Sequence, residues 1–285
     1  MTTYLVTGAS GQLGQLVVDE LAKRVPASEI IALVRGDDAA AAYTAKGIAT
    51  RRGDYDDRDS LRAAFDGVDR LLLISSSAVG ERVRQHGNAI SAAKDAGVGF
   101  IAYTSILDAQ ATPMALATEH KITEETIQAS GIPYTFLRNG WYSENITMTL
   151  AQDLELGQHF GAAGDGRFST ASRHDYAEAA AIVLAGGHDG AVLELAGDTA
   201  FTLAEYTQIV AEASGKPVTY ADMPETAFAQ ALVGAGLPEG FAGILADSDA
   251  KAANGALYDD SRTLSRIIGR KTTPMEETVK AAIAS

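Results

Sequence analysis

Gly8, Gly11 and Gly14 stand three apart, directly after the apolar run Tyr4-Leu5-Val6-Thr7. A glycine turn between a strand and a helix lets backbone amides approach a pyrophosphate and aims the positive end of a helix dipole at it. Gly8, Ser10, Gly11, Gln12 and Leu13 are therefore read as a dinucleotide-phosphate cradle. Three glycines alone also suit a plain helix-start loop. The other strand ends decide between the two.

The second strand carries the most informative of those ends. NAD-binding folds place an acid there, about 20 residues past the glycines, to accept from the ribose hydroxyls. Here Ile30-Ile31-Ala32-Leu33-Val34 ends in Arg35. A guanidinium grips a 2′-phosphate with two parallel hydrogen bonds, so the sequence favours NADPH. Asp37 and Asp38 close by leave room for some NADH. Gly53-Asp54-Tyr55 closes the third strand, where Asp54 can accept from an adenine amino group and Tyr55 can cover the ring. Asp57 and Asp59 are read as caps of the helix holding Leu61 to Phe65. Ser75, Ser76 and Ser77 close the fourth strand, where small residues pack over ribose and phosphate; a simple turn is the other use of three serines.

These ends need a sheet to hold them. Short aliphatic runs near 4–7, 30–34, 48–52, 69–74, 99–104 and 134–138 alternate with helical patterns such as Leu13 to Val25 and Gln85 to Ala96. That rhythm is the sequence form of repeated βαβ units, and Leu71-Leu72-Leu73-Ile74 has the unbroken hydrophobicity of a strand buried on both faces. The fold expected is α/β, a doubly wound parallel Rossmann sheet with a smaller, mainly helical C-terminal lobe. We place the dinucleotide domain at 1–150, joined by the helix and strand at 174–196, and a substrate-capping lobe at 151–285. Helices are expected at Leu203 to Ala213, Glu225 to Val233 and Pro274 to Ile283, punctuated by Pro217, Pro224, Pro238 and Pro274.

Composition excludes several classes of chemistry. The 285 residues carry a net charge of -14 and no basic run, which argues against a nucleic-acid partner. The absence of cysteine removes disulfides, thiolate nucleophiles and Cys-ligated metals. No apolar run reaches the roughly 18 residues of a membrane span and no signal-like segment opens the chain, so a cytoplasmic location is expected. The five histidines are scattered without metal-ligand spacing, so no metal is expected. Asp247-Ser248-Asp249 lacks the rest of a calcium loop and is read as a helix cap.

Thr7 to Gly14, Leu72 to Ser77, Phe100 to Ser105, Ala246 to Asp249 and above all Tyr134-Thr135-Phe136-Leu137-Arg138-Asn139-Gly140-Trp141-Tyr142-Ser143-Glu144-Asn145 resemble the NmrA-like, atypical short-chain dehydrogenase/reductases, most closely the NAD(P)H:quinone oxidoreductase type 2 family. The resemblance implies a monomer-to-dimer-sized enzyme that passes a hydride from NADPH to a small aromatic quinone without a flavin. It also implies that Asn139 to Asn145 lies against the nicotinamide and its ribose, and that Arg173 reaches the cofactor from the second lobe. From the residues themselves, Asn139 offers a side-chain amide and Gly140 a free backbone amide to a carboxamide. Trp141 and Tyr142 suit either an aromatic wall for a flat quinone or, for the single tryptophan, core packing.

Ordinary short-chain dehydrogenases protonate their product through a Tyr-x-x-x-Lys pair. Setting His120 or Lys121 at the lysine position puts Leu116 or Ala117 where the tyrosine belongs. An alkoxide product would then lack its proton donor, whereas a quinone yields a phenolate of basicity near that of tyrosine, about 10, which water can protonate. His120, Tyr103 and Tyr142 are the local donors the sequence offers, each with an equally good packing role. The competing class is a non-catalytic NADP-binding redox sensor, which also dispenses with the tyrosine.

Overall fold

The computed structural model describes residues 1–284. Along the first half β1 (Tyr4–Val6), α1 (Gln12–Leu21), β2 (Ile30–Val34), α2 (Asp37–Ala45), β3 (Ala49–Arg52), α3 (Arg58–Ala64), β4 (Arg70–Leu73), α4 (Arg82–Asp95), β5 (Phe100–Ile106), α5 (Ala117–Ser130) and β6 (Tyr134–Asn139) alternate strictly. The order across the sheet is β3-β2-β1-β4-β5-β6-β8, with β8 at Val192–Leu195. The pairings from β3 through β6 are parallel, with Tyr4 opposite both Ile30 and Arg70, and Ser105 opposite Arg138. Strand order therefore reverses between β1 and β4, the place where doubly wound sheets bind ligands beyond their carboxyl ends.

The central strands form because their runs are apolar on both faces; β3, Ala-Thr-Arg-Arg at the sheet edge, is not. β1, β2 and β5 are buried along their whole length. Leu5, Leu33, Leu71, Leu73, Ile101 and Phe136 pack with Leu61 and Phe65 of the α3 region, Ile90 of α4 and Ile127 of α5 in one core. Burying each such side chain stabilises the fold by roughly 1.5–3 kcal/mol. α8 (Arg173–Ala185) packs on α1. At that contact Glu20, nearly fully buried, accepts from Lys23 Nζ at 2.5 Å and Arg24 Nη1 at 2.9 Å and lies 3.0 Å from His174 Nε2, while Arg24 Nη2 reaches Glu178 at 3.2 Å. A buried carboxylate persists only with partners of this kind.

Two compact units emerge. The first joins residues 1–109, 119–139 and 173–193; the second joins 110–118, 140–172 and 194–285. The second is mainly helical: α6 (Ser143–Ile146), α7 (Leu150–Leu156), α9 (Leu203–Ser214), α10 (Glu225–Gly234), α11 (Glu239–Ala252), α12 (Thr263–Ile268) and α13 (Met275–Ala284). It also holds a feature the sequence did not announce, a two-stranded parallel sheet of β7 (Gln158–Gly161) and β9 (Thr219–Asp222). α9 starts on a capping box between Thr202 and Glu205. Asp247-Ser248-Asp249 is no cap, because Pro238 starts α11 well before it. From mid-helix, Asp247 accepts from the Ala115 amide at 2.8 Å and Asp249 from the Ala162 amide at 3.1 Å. No described helix is long and apolar enough to cross a membrane.

Candidate active site

The glycine turn is the first strand end. Gly8 takes a left-handed φ of +57°, and the Gly11 amide donates back to Gly8 O at 2.9 Å. A Cβ on Gly14 would stand 2.2 Å from Gly8 O, so only glycine lets the helix pass this close beneath the turn. Tyr43 Oη donates to Ala9 O at 2.6 Å and Gln15 Nε2 to Ser10 O at 2.9 Å, pinning the loop from outside. Gly11 caps α1 with no side-chain acceptor, and no acid stands in the first turn. With the Gly11 amide taken by Gly8 O, the exposed residues Ser10 and Gln12 leave helix-terminal amides suited to an anion, while the Leu13 side chain turns into the core.

Beside it, Arg35 follows β2, exposed, with no hydrogen bond or ion pair among the described residues. Asp37, expected to temper it, instead pairs with Arg52 at the end of β3. Asp57 caps α3, accepting from the Asp59 and Ser60 amides at 3.1 Å; Asp59 lies inside the first turn. Tyr55, expected over an adenine, has its hydroxyl 2.5 Å from Thr7 Oγ1 and 2.7 Å from Ile74 O, and its ring meets His86 edge-on. That side chain ties the ends of β1 and β4 together.

The three serines after β4 separate into different roles. Ser75 donates its amide to Thr104 Oγ1 at 2.8 Å, yet its own Oγ is buried without a partner. Ser76 is consumed within the fold. Its amide donates to His86 Nε2 at 3.0 Å, its hydroxyl to Gln85 Oε1 at 2.5 Å, and its carbonyl accepts from Arg82 Nε at 2.6 Å. Ser77 is exposed.

Tyr103 and His120 meet at 2.8 Å, both buried, with Arg82 Nη1 3.4 Å from the far side of His120. Burial first, then the Arg82 charge and His86, hold His120 well below the ordinary histidine value. Burial pushes the Tyr103 phenol far up. A neutral imidazole and a weakened phenol are poor proton donors near pH 7. His86 is held down to about 3 by burial and Arg82; accepting the Ser76 amide on Nε2 leaves its proton on Nδ1, toward Thr123 Oγ1 at 2.9 Å.

At the last strand end, Asn139 is 5% exposed, and its Oδ1 is buried with no partner. Arg138 and Ser105 before it converge on Glu124, a cluster the motifs did not flag. A charged residue inside an otherwise buried strand was the one available signal, since such a charge must find a partner. Arg173 opens α8 in the sheet-bearing unit rather than in the second one.

In the second unit the Gly140 amide is not free as expected. It donates to Leu195 O at 2.7 Å, because β8 extends the sheet beside it. Trp141 is buried and Tyr142 half-buried. Ala171 N donates to Trp141 O at 3.3 Å, and Ser143 N to Ala171 O at 2.9 Å. Asn145 sits in α6, its amide 3.0 Å from Tyr142 O.

Gly8 to Leu13, Arg35, Ser75 and Asn139 therefore stand at the carboxyl ends of β1, β2, β4 and β6 of one parallel sheet, with β5 between the last two. Anion-ready amides, an unpaired guanidinium, and two buried polar atoms without partners are a donor and acceptor set that fits NADPH. Fold and site together define a dinucleotide-binding α/β protein. The chain belongs to the NmrA-like family, whose profile matches residues 2–278. It is 53% identical over 275 residues to quinone oxidoreductase 2 of Escherichia coli (strain K12), covering 96% of each chain. The structure of NADPH-dependent quinone oxidoreductase QOR2 of that species, complexed with NADPH, is similar at a TM-score of 0.96 and 52% identity, over 99% of this chain and 100% of that one. Triphenylmethane reductase of Citrobacter sp., complexed with NADP(H), is similar at 0.94 and 40% identity, over 98% and 100%.

Proposed function

We propose that this protein is an NADPH-dependent quinone oxidoreductase that reduces a small aromatic quinone to the hydroquinone in one two-electron step, without a flavin. The observation that carries the reading is the 53% identity, across 96% of both chains, to quinone oxidoreductase 2 of Escherichia coli. The Ser10 and Gln12 amides of the turn from Gly8 to Leu13 would hold the pyrophosphate, Arg35 the 2′-phosphate, Ser75 a ribose hydroxyl, and Asn139 Oδ1 the carboxamide N–H. NADPH, when bound, supplies the hydride. The quinone takes that hydride and one proton, and its phenolate stage, with a basicity near pKa 10, draws the proton from water. The missing Tyr-x-x-x-Lys pair and the non-acidic Tyr103 and His120 are consistent with such an acceptor.

The test is NADPH oxidation with a small benzoquinone, using protein shown spectroscopically to be free of flavin. Equal amounts of NADP⁺ and hydroquinone are expected. Failure to turn over any of several quinones, with NADPH still binding, would replace this reading with that of an NADP-binding redox sensor.

A further inference from the structure

Glu124, in the middle of α5, is 1% exposed and accepts hydrogen bonds from Ser105 and Arg138 at the carboxyl edge of the sheet. Ser105 Oγ donates to Oε1 at 2.6 Å, Arg138 Nε to Oε1 at 2.9 Å and Arg138 Nη2 to Oε2 at 2.7 Å. Ser105 and Arg138 are register partners, each one residue from the end of its strand. One carboxylate thus ties the ends of β5 and β6 to each other and to α5. The very next residue is Asn139, whose carbonyl accepts from the Leu107 amide at 3.0 Å and whose Oδ1 lies buried without a donor. Buried ion pairs are a poor source of stability, since apolar residues of similar volume often serve as well. A fixed fork of hydrogen bonds does set direction.

We propose that Glu124 is a positioning residue: through Arg138 and Ser105 it holds the end of β6 so that Asn139 Oδ1 is aimed as an acceptor at the carboxamide N–H of the nicotinamide. The inference rests on the reading of Asn139 given above. An aimed acceptor has a recognisable consequence. It favours a carboxamide, which brings a donor, over the nicotinic-acid analogue, whose carboxylate brings only acceptors and a charge.

The experiment measures dissociation constants by calorimetry for NADP⁺, for its nicotinic-acid analogue and for adenosine 2′,5′-bisphosphate, which lacks the nicotinamide end. Wild type should prefer NADP⁺ over the acid analogue by about tenfold or more, and Asn139→Ala should abolish the preference. Glu124→Gln, and the apolar pair Glu124→Leu with Arg138→Met, should bring it to within about twofold of the Asn139→Ala level while adenosine bisphosphate binds as in wild type. Ser105→Ala, which removes one bond only, should lie between. If Asn139→Ala keeps the preference, the reading of Asn139 is wrong, and the role of Glu124 with it. If Asn139→Ala loses the preference while the Glu124 variants keep it, the positioning role is overturned and the reading of Asn139 stands. Parallel loss of adenosine bisphosphate binding in the Glu124 variants would mark the clamp as merely structural, and equally overturn the proposal.

Discussion

Arg35 and Arg52 end neighbouring strands, yet only Arg52 has an ion-pair partner, Asp37. The difference leaves the Arg35 guanidinium available for the 2′-phosphate role proposed for it. Charge-assisted hydrogen bonds of this type contribute about 1.5–3 kcal/mol, so Arg35→Asp should raise the dissociation constant for NADPH by at least about tenfold and that for NADH far less. Equal weakening of both, measured by fluorescence titration, would mean the arginine does not read the phosphate. At this scale the sequence was legible in where a side chain would stand, as for Arg35 just after β2 and Asn139 at the end of β6. It was illegible where meaning depends on a distant partner. Ser75 and Ser76 look alike in the chain, but Gln85, His86 and Arg82, brought up by α4, satisfy Ser76 and leave the Ser75 hydroxyl alone. Gly140 looked free for the same reason: Leu195, its acceptor, is 55 positions away.

The turn between β1 and α1 works because backbone passes over backbone. Gly14→Ala puts a methyl 2.2 Å from Gly8 O and 2.8 Å from Ala9 Cα, and neither is a flexible side-chain end. We expect a loss of roughly 1–3 kcal/mol in thermal or urea denaturation, together with weakened NADP⁺ binding. Gly87, inside α4 with nothing within 4 Å of its added Cβ, is the matched control: Gly87→Ala should stabilise by about 0.5–1 kcal/mol and leave binding alone. The sheet was readable because its central strands β1, β2, β4 and β5 are largely apolar runs separated by helical patterns. β7 and β9 were not. Gln158-His159-Phe160-Gly161 and Thr219-Tyr220-Ala221-Asp222 are four residues each, neither alternating nor uniformly apolar. Side-chain acceptors hold the loop after β7: Tyr220 takes the Ala163 amide at 3.0 Å and Asp222 the Gly164 amide at 2.9 Å. No local periodicity encodes such anchors.

For the molecule as a whole, the buried histidines set a pH dependence. His86, held down to about 3, and His120, held well below its usual value, stay neutral when folded; in the unfolded chain they take up protons near 6.5. The unfolded state therefore binds more protons from about pH 6.5 downward, and stability is fully present above that value and falls toward pH 3, by up to about 1.4 kcal/mol per pH unit for each histidine. Asp249 runs the other way. Pushed up to about 6 by burial, it keeps a proton in the folded state that the unfolded chain releases above 3.8, offsetting one histidine between those values. Net loss of stability is expected between pH 7 and 5 in urea denaturation. His86→Gln, which preserves an acceptor for the Ser76 amide, should flatten the slope; an unchanged slope would remove His86 from the account. The interleaved chain path has a separate consequence, for biosynthesis. The sheet-bearing unit takes its last segment from residues 173–193, after the ribosome has made the 110–118 and 140–172 segments of the second unit. At roughly 5–20 residues per second, the nascent protein spends seconds with β1 to β6 synthesised and α8 still missing. Through that interval Glu20 of α1 has Lys23 and Arg24 but not His174, and Arg24 lacks Glu178, so the α1 face of the new sheet stays open to chaperones and proteases until α8 arrives.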